Sequence, residues 1–378
     1  MMKKFLFGAG AVIALTGAYL TLWPVPIDPA PWDAEASLGY TGDFAPNTTL
    51  ADMERIAIGQ TYGPEDVAIR EKDGGYEVYV SGHKGEIIKI DPVTLTRTTI
   101  TNTGGVPLGI EFANETDLIV ADAYLGLMSV NVDTGAVNLL TNSVDGTPIL
   151  YADDVDIAPN GVIYFSDAST KFGAKAIGST MAASLLEIME HRKTGRVLSY
   201  DPRDGVTRVV ADGFSFSNGV AMHPDGQSLL VVETGTYSVH RIWVDGPRKG
   251  KREVIIGNLP GFPDNINPGP LVDLPNVTSV PTFYVGLISQ RSDWLDANAR
   301  KPFMRKLAMR LPERLRPSAV DYTHIVQITA DGQVIQTLQD PSGDYPQATG
   351  AVMAPDGHLY VSSLSATTLA RKQLNPKN

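Results

Sequence analysis

The chain has 378 residues, of which 43% are hydrophobic, and a formal net charge of −11. This length and composition support a sizeable core, and the negative charge argues against a nucleic-acid partner, because phosphate binding needs a basic surface. The chain has no cysteine, so disulfides, thiolate chemistry and cysteine-based metal sites are excluded.

The N-terminus differs in kind from the rest of the chain. Residues 1–4 read MMKK, and 5–23 form an uncharged run of 19 residues. A helix of that length spans about 28 Å, close to a hydrocarbon core of roughly 30 Å. Because Lys3 and Lys4 precede the run, we expect a single-pass signal anchor with 1–4 in the cytoplasm and the rest on the extracytoplasmic side, periplasmic or lumenal. A cleaved signal peptide is the alternative.

Residues 24–50 form a linker that is rich in proline at its start, with four prolines between Pro24 and Pro31. Proline-rich segments are extended and semi-rigid. We therefore expect this linker to act as a stiff spacer between the anchor and the rest of the chain.

From residue 51 to 378 one pattern recurs six times: a loop, an apolar strand, a turn and a second strand. A unit of roughly 40 to 45 residues cannot bury its own sheet and stacks radially with its neighbours. We predict an all-β fold, a six-bladed β-propeller. Aligned on the first apolar residue of each strand, the intervals are 43, 45, 65, 46 and 86 residues. The aligned anchors are Val67, Ile110, Val155, Val220, Ile266 and Val352.

The two long intervals contain insertions at 176–195 and 289–320. Both have helical spacing and helix-forming residues, so we expect two helical caps on one face of the propeller. Between Arg291 and Arg316 the second cap has eight Lys or Arg against three acidic residues, and it is amphipathic. It could face a membrane, gate the substrate or cover the propeller edge as a solvated helix.

Polar residues stand directly before the anchors in four of the six repeats. The innermost strand of every blade starts near the central channel, so these residues should converge there. Carboxylates crowded in this way repel one another unless a cation lies among them. An all-oxygen set favours a hard cation, calcium before magnesium; the alternative is that these are ordinary turn residues. The set is Glu65, Asp66, Asp153, Asp154, Asn218, Asp264 and Asn265.

Several motifs resemble those of a known superfamily. The chain is similar, over roughly residues 60–370, to the calcium-dependent phosphotriesterase superfamily of six-bladed propellers, which includes senescence marker protein/gluconolactonase, paraoxonase and strictosidine synthase. It looks most like the strictosidine-synthase-like branch that contains adipocyte plasma membrane-associated protein. The motifs are PLGIEF at 107–112, YADDV at 151–155, IYFSDASTKF at 163–172, SNGV at 217–220 and PGFPDNINP at 260–268.

This resemblance implies a set of metal ligands. Asp153 stands where the family more often has Asn, and its extra charge should tighten cation binding and weaken the Lewis acidity of the metal. A second, structural calcium would be held by Asp66, Asp154 and the carbonyl of Ile110. The implied ligands of the axial calcium are Glu65, Asp153, Asn218 and Asp264, with Asn265 added by the paraoxonase pattern.

Two positions depart from the best-known members. Leu108 occupies the place of the paraoxonase catalytic histidine, so a histidine dyad is not expected. Gly350 stands at or near the place of the glutamate that strictosidine synthase uses for condensation, which argues against that reaction.

We therefore predict a membrane-anchored, calcium-dependent hydrolase of lactones or aryl esters. A metal at the axis would polarise the carbonyl, and Asp264 would act as base or nucleophile. The alternatives are a non-catalytic, calcium-stapled propeller that binds a protein or lipid, and a strictosidine-synthase-like protein without the condensation glutamate.

Overall fold

A computed structural model describes residues 2–374, with side chains from Gly10 onwards. Within these residues the chain forms six four-stranded sheets and one two-stranded hairpin. The innermost strand of each sheet packs beside that of the next, and the last packs against the first, so the sheets close a ring. The predicted six-bladed propeller is confirmed.

The elements follow the chain in blade order. The first are helix α1 (Met2–Leu22) and strand β1 (Glu54–Ala57). Blade one contains β2 (Pro64–Lys72), β3 (Gly75–Gly82), β4 (Glu86–Ile90) and β5 (Arg97–Asn102). Blade two contains β6 (Pro107–Phe112), β7 (Asp117–Asp122), β8 (Gly126–Asn131) and β9 (Val137–Thr141), and is followed by the hairpin of β10 (Ser143–Val144) and β11 (Thr147–Pro148).

Blade three contains β12 (Ala152–Ile157), β13 (Ile163–Asp167), helices α2 (Ala174–Ile177) and α3 (Thr180–Glu190), β14 (Gly195–Asp201) and β15 (Val206–Phe214). Blade four contains β16 (Ser217–Met222), β17 (Ser228–Glu233), β18 (Ser238–Trp243) and β19 (Arg252–Ile256). Blade five contains β20 (Gly261–Leu274), β21 (Val277–Gln290), helices α4 (Asp293–Ala297) and α5 (Pro302–Met309), β22 (Thr323–Thr329) and β23 (Val334–Asp340). Blade six contains β24 (Ala348–Met353), β25 (His358–Ser363) and β26 (Thr368–Gln373).

The last blade is completed by the start of the chain. Strand β1 pairs antiparallel with β26, with Ile56 opposite Leu369. Apolar side chains of neighbouring blades pack between the sheets, as Ile87 of blade one does with Val120 of blade two. The ring is thus closed by backbone hydrogen bonds between the two ends of the chain, and its core lies between the blades.

Every innermost strand carries a β-bulge at the same place. In blade one, Pro64 and Val67 are paired with the second strand while the two residues between them are not. The same three-residue step recurs in the other five blades. In blade six the step ends at Ala351, so the predicted anchor Val352 is wrong by one residue, because the bulge and not the larger side chain sets the register.

Both insertions form caps on the same face as the bulges. The predicted cap 176–195 contains the second half of α2 and all of α3, and the predicted cap 289–320 contains α4 and α5. Strands β13 and β21 lead into the caps, and each ends opposite the start of its innermost strand. Both caps therefore lie over the face of the propeller at which the channel residues enter.

The start of the predicted linker is not a free spacer. Residues 24–36, called the strap below, run between the two caps: the Ala30 N–H donates to the Glu190 carbonyl over 2.9 Å, and Trp32 stacks on His191 with ring centroids 3.9 Å apart. Ile27 is buried. The prolines keep the strap extended, and its free backbone groups and side chains pair with the caps.

Helix α1 covers most of the predicted anchor 5–23, and the side chains of 5–9 lie outside the described residues. Among the residues that the structure describes, no helix is long and apolar enough to cross a membrane. The predicted transmembrane segment is therefore not supported by the structure.

Candidate functional site

The six bulges bring two residues each to the channel. The first positions are Glu65, Leu108, Asp153, Asn218, Asp264 and Thr349, and the second are Asp66, Gly109, Asp154, Gly219, Asn265 and Gly350. The predicted axial set occupies these positions in blades one, three, four and five. Thus the same β-bulge occurs in all six innermost strands, and the side chains at its two positions differ from blade to blade.

Hydrogen bonds across the channel show that the predicted residues meet. The Asn265 amide donates to Glu65 Oε1 over 3.0 Å, and the Asn218 amide donates to Asp264 Oδ1. Thr349 Oγ1 donates to the Glu65 carbonyl over 2.7 Å. Residues up to 284 positions apart in the chain are therefore direct neighbours.

Four of the five predicted ligands have a buried oxygen without a hydrogen-bond partner in the described part of the chain. All are almost fully buried, between 0 and 3% exposed. Unsatisfied buried polar atoms are rare in folded proteins and costly. Oxygens gathered in this way fit a divalent cation, which would coordinate them all at once. The atoms are Glu65 Oε2, Asp153 Oδ2, Asn218 Oδ1 and Asn265 Oδ1.

The carboxyl groups at these positions also fit a bound divalent cation. Burial raises the pKa of Glu65 well above its usual range, and the neighbouring charges of Asp264 and Asp153 raise it further. Burial likewise raises the pKa of Asp153 well above its usual range, and that of Asp264 to about 7. Three carboxyl groups this close cannot all stay ionised without a positive charge among them.

The site combines amide oxygens with carboxylate oxygens. Among the described residues, no three His, Cys, Asp or Glu side chains are arranged to hold a metal ion by themselves. Two of the partnerless oxygens belong to the amides of Asn218 and Asn265. A mixed carboxylate and amide set is typical of calcium, which accepts 6 to 8 oxygen ligands, including amide carbonyls.

The second bulge position serves a different purpose in blades one and three. Asp66 Oδ2 accepts from the Ile110 N–H over 2.9 Å, and Asp154 Oδ2 accepts from the Val220 N–H over 2.8 Å. Each carboxylate therefore links its blade to the anchor of the next. Their other oxygens accept from Asn267 and Val155. The second calcium predicted at Asp66, Asp154 and the Ile110 carbonyl stays a prediction.

Glycine alternates with these side chains around the ring. A Cβ at Gly109 would lie 2.3 Å from Asp154 Oδ1, and one at Gly219 would lie 2.6 Å from the Ile266 nitrogen. At Gly350 a Cβ would lie 2.6 Å from Asn267 Oδ1. The even-numbered blades therefore carry glycine where the backbone or side chains of blades three and five come close. A side chain at Gly350, the position of the condensation glutamate in strictosidine synthase, would have to displace the Asn267 amide.

A third channel layer was not predicted. Glu111 and Asp156 directly follow their anchors; burial raises the pKa of Glu111 to about 8 and that of Asp156 to about 6. The charges of Asp156 and Asp66 also raise the pKa of Glu111, so the three groups are close. Asn267 occupies the same position in blade five. A polar residue just after an apolar anchor, as in IEF and VDI, was the available sequence signal.

An apolar roof covers the axial site. Tyr151 packs with Leu108 and Phe216, and its hydroxyl lies 2.9 Å from Ser184 Oγ on helix α3. Burial and the charge of Asp153 raise the pKa of Tyr151 well above its usual range, so the phenol lies near the carboxylates. Two cavities, of about 450 and 370 Å³, lie between blades two and three and in the second cap. Glu65, Asp153 and Asp264 are 2, 3 and 5% exposed, so the axial site is closed beneath the first cap.

The histidines take no direct part in this cluster. His83 lies next to the start of β2: its Nδ1 is 3.2 Å from the Gly63 carbonyl, and its Nε2 is 3.3 Å from Thr180 Oγ1. It therefore joins blade one to helix α3. None of the twelve bulge residues is a histidine.

Comparison with known proteins gives a family. The family model described as strictosidine synthase matches residues 153–247, and the N-terminal model of strictosidine synthase-like proteins matches 42–90. Adipocyte plasma membrane-associated protein from Bos taurus is 30% identical over 98% of this chain and 90% of its own length. This chain belongs to the strictosidine synthase-like family. A strictosidine synthase-like protein from Arabidopsis thaliana is 29% identical over 99% of this chain and 96% of its own length.

Solved structures show the same fold in other propellers. A gluconolactonase from Xanthomonas campestris has a TM-score of 0.59 at 15% identity, covering 93% of this chain and 97% of its own. Regucalcin from Agrobacterium tumefaciens, described as a calcium-binding protein, has a TM-score of 0.56 at 13% identity and covers 84% of this chain and 93% of its own. At these identities the likeness shows the shared fold, and it agrees with the superfamily resemblance of the sequence.

Proposed function

We propose that this chain is a calcium-dependent hydrolase of lactones or aryl esters. The observation that carries the proposal is the group of partnerless, buried oxygens of Glu65, Asp153, Asn218 and Asn265 beside the Asp264 carboxyl group. Support also comes from the gluconolactonase that shares the fold. The substrate class, a small ester or lactone, is part of the proposal.

Calcium held by these oxygens would supply Lewis-acid polarisation of a substrate carbonyl. The remaining chemistry falls to the chain's own residues. Asp264 Oδ1 accepts from Asn218, which leaves Oδ2 available to take a proton from water. Burial raises the pKa of Asp264 to about 7. A calcium ion beside it would lower that pKa and keep the carboxylate ionised, as a general base requires. The roof of Leu108, Tyr151 and Phe216 would exclude bulk water.

The test is turnover of an aryl acetate and a γ-lactone by the purified full chain in detergent, with calcium and with EDTA. We expect EDTA to abolish turnover, calcium to restore it, and Asp264→Asn to lower kcat/KM by about 100-fold or more. Glu115→Gln is the matched acid-to-amide control, because Glu115 is exposed and lies away from the channel. Turnover that ignores both EDTA and Asp264→Asn would sink the proposal.

A second candidate is a non-catalytic propeller in which calcium staples the blades. Two observations favour it: the roof closes the axial site, and the extra charge at Asp153 gives the cation a third carboxylate. In that case chelation lowers the melting temperature while no ester or lactone is turned over. The two candidates thus share the calcium prediction and differ in turnover.

Membrane association is part of the same proposal. Relatives at about 30% identity are named plasma membrane-associated, and the N-terminal segment has Lys3 and Lys4 before an uncharged run. We propose that this segment places the propeller on the extracytoplasmic side. Protease protection in sealed vesicles tests that topology: a propeller digested only from the cytoplasmic side would overturn it.

A further inference from the structure

The second cap has more Lys and Arg side chains than there are carboxylates and carbonyls that bind them. Of its eight Lys and Arg, Arg305 is buried and Arg310 binds backbone carbonyls. Three others pair with carboxylates: Arg291 with Asp296, Arg300 with Asp33 and Lys306 with Asp28. The remaining three, Lys301, Arg314 and Arg316, have no carboxylate partner among the described residues and are exposed.

Large apolar side chains are exposed beside these three cations. Phe303 is 53% exposed and Leu315 is 60% exposed. Phe303 is one helical turn from Leu307, which lines an apolar groove of about 370 Å³ together with Trp294 and Leu315. Arg316 lies at the same groove. An exposed apolar groove surrounded by cations is typical of an interaction surface, whereas single exposed apolar residues are not.

The same cap holds the end of helix α1. Arg310 Nε donates to the Trp23 carbonyl over 2.6 Å, and its Nη1 donates to the Leu20 carbonyl over 3.3 Å. The Trp23 side chain is 58% exposed and packs against Tyr19, with ring centroids 5.6 Å apart. Trp and Tyr at the end of an apolar helix are typical of a membrane–water interface. The basic surface is therefore continuous with a segment suited to that interface.

We propose that residues 301–320, the basic cap surface, dock on an anionic lipid bilayer. A bilayer is favoured over an acidic protein because the basic and apolar surface is continuous with the Trp23 and Tyr19 end of helix α1, which is suited to a membrane–water interface. The inference deepens the proposed membrane association and rests on it. It adds that the capped face of the propeller, above the axial site, faces the lipid.

The absence of cysteine from the sequence makes the test clean, because one introduced cysteine is a unique labelling site. The full chain is reconstituted in vesicles as Phe303→Cys or Leu315→Cys, each carrying an environment-sensitive fluorophore. Val93→Cys is the matched control: Val93 is 87% exposed in the β4–β5 turn, on the opposite face of blade one. Vesicles are phosphatidylcholine alone or phosphatidylcholine with phosphatidylserine.

On phosphatidylserine vesicles we expect labels at 303 and 315 to shift to the blue and to be quenched by spin-labelled lipid, and the label at 93 to do neither. Replacing Lys301, Arg314 and Arg316 by Glu should lower the ratio of docked to undocked label by roughly tenfold or more. The control is Lys249→Glu with Lys251→Glu, exposed cations in the β18–β19 turn of blade four.

Labels at 303 and 315 that stay water-like on anionic vesicles would overturn the proposal. So would a shift that occurs equally on neutral vesicles, or one that requires an added protein in place of lipid. Retention of the chain in the vesicles on flotation reports membrane association independently of the labels, and ester or lactone turnover is measured separately on the unlabelled chain. Failure of docking is therefore distinguishable from failure of the membrane association and of the hydrolase proposal.

Discussion

The side-chain amide of Asn265 donates to Glu65 Oε1 over 3.0 Å and thereby joins blade five to blade one, across 200 residues of sequence. Among the described residues, Glu65 keeps its second oxygen, Oε2, and Asn265 keeps its amide oxygen, Oδ1, buried and without a hydrogen-bond partner. Their amide and carboxylate are thus oriented by each other, and the free oxygens remain for a cation. Preorganisation of this kind lowers the ordering cost of ligand binding.

Calcium should stabilise the fold independently of any turnover. A ligand that binds only the folded state adds about 2.7 kcal/mol to the free energy of unfolding at 100 times its Kd. We expect calcium to raise the Tm of the full chain, and Glu65→Gln to remove most of that rise. Glu115→Gln serves again as control. Thermal unfolding with calcium and with EDTA checks this, and an identical Tm in both would contradict the axial cation site.

Alanine at Gly109 should destabilise the propeller strongly. Its Cβ would lie 2.6 Å from the Asp154 Cα as well as 2.3 Å from Oδ1, so backbone must move. Overpacking of this kind costs about 1 to 3 kcal/mol, and we expect the upper end of that range. Gly75→Ala, whose nearest contact is an ordinary 3.7 Å, is the control. Chemical denaturation of both variants decides the point; equal stabilities would show that the channel layers pack loosely.

Arg305 should hold the strap in place. The side chain is fully buried, donates to carbonyls of both caps and of Ala30, and lies over the Trp32 ring at 4.5 Å. Replacing it with Met leaves those carbonyls without their donor, which we expect to cost about 3 kcal/mol. Limited proteolysis should then cut the strap at 24–36 faster. Arg314→Met, at an exposed arginine of the same cap with no contact to the strap among the described residues, should leave the cleavage rate unchanged.

His324 should make the fold acid-sensitive. Burial lowers the pKa of His324 to about 3, and neither ring nitrogen has a hydrogen-bond partner among the described residues. Because the unfolded chain binds the proton with a pKa near 6.5, stability falls as pH drops from about 6.5 towards 3, by up to about 1.4 kcal/mol per pH unit.

The matched variant is His324→Phe, since Tyr40, Phe44 and Tyr322 already surround the ring. We expect it to remove this part of the acid dependence. The carboxyl groups of the channel titrate in both proteins and cancel in the difference between their Tm-against-pH curves. Parallel curves from pH 7 to pH 4 would show that His324 is already charged in the folded protein.

Much of the fold could be predicted because a propeller is a local pattern repeated. The period of six units gave the blade count, and insertions between 155 and 220 and between 266 and 352 gave the caps. The sequence pattern predicts the anchor of blade six at Val352, whereas the bulge geometry places it at Ala351. Register depends on the pairing partner, Val361, and so is not written in the strand alone.

The sequence predicted the channel residues that precede the anchors but not those that follow them. Polar residues before the anchors identified Glu65, Asp153, Asn218, Asp264 and Asn265. The residues after the anchors, Glu111 and Asp156, were missed because a polar residue within a strand normally faces solvent. Only closure of the ring makes that side of the innermost strand a channel wall.

The sequence by itself determined the number of blades, the oxygen-rich chemistry of the axis and the positions of the caps, because each rests on residue type and spacing along the chain. The tertiary structure decided which channel oxygens accept a hydrogen bond within the chain and which do not. Asp154 Oδ2 accepts from the Val220 N–H, while Oδ2 of its neighbour Asp153 has no hydrogen-bond partner among the described residues. That difference arises from contacts 66 residues away, and the closed roof and the strap, packed between two separate insertions, have the same long-range origin.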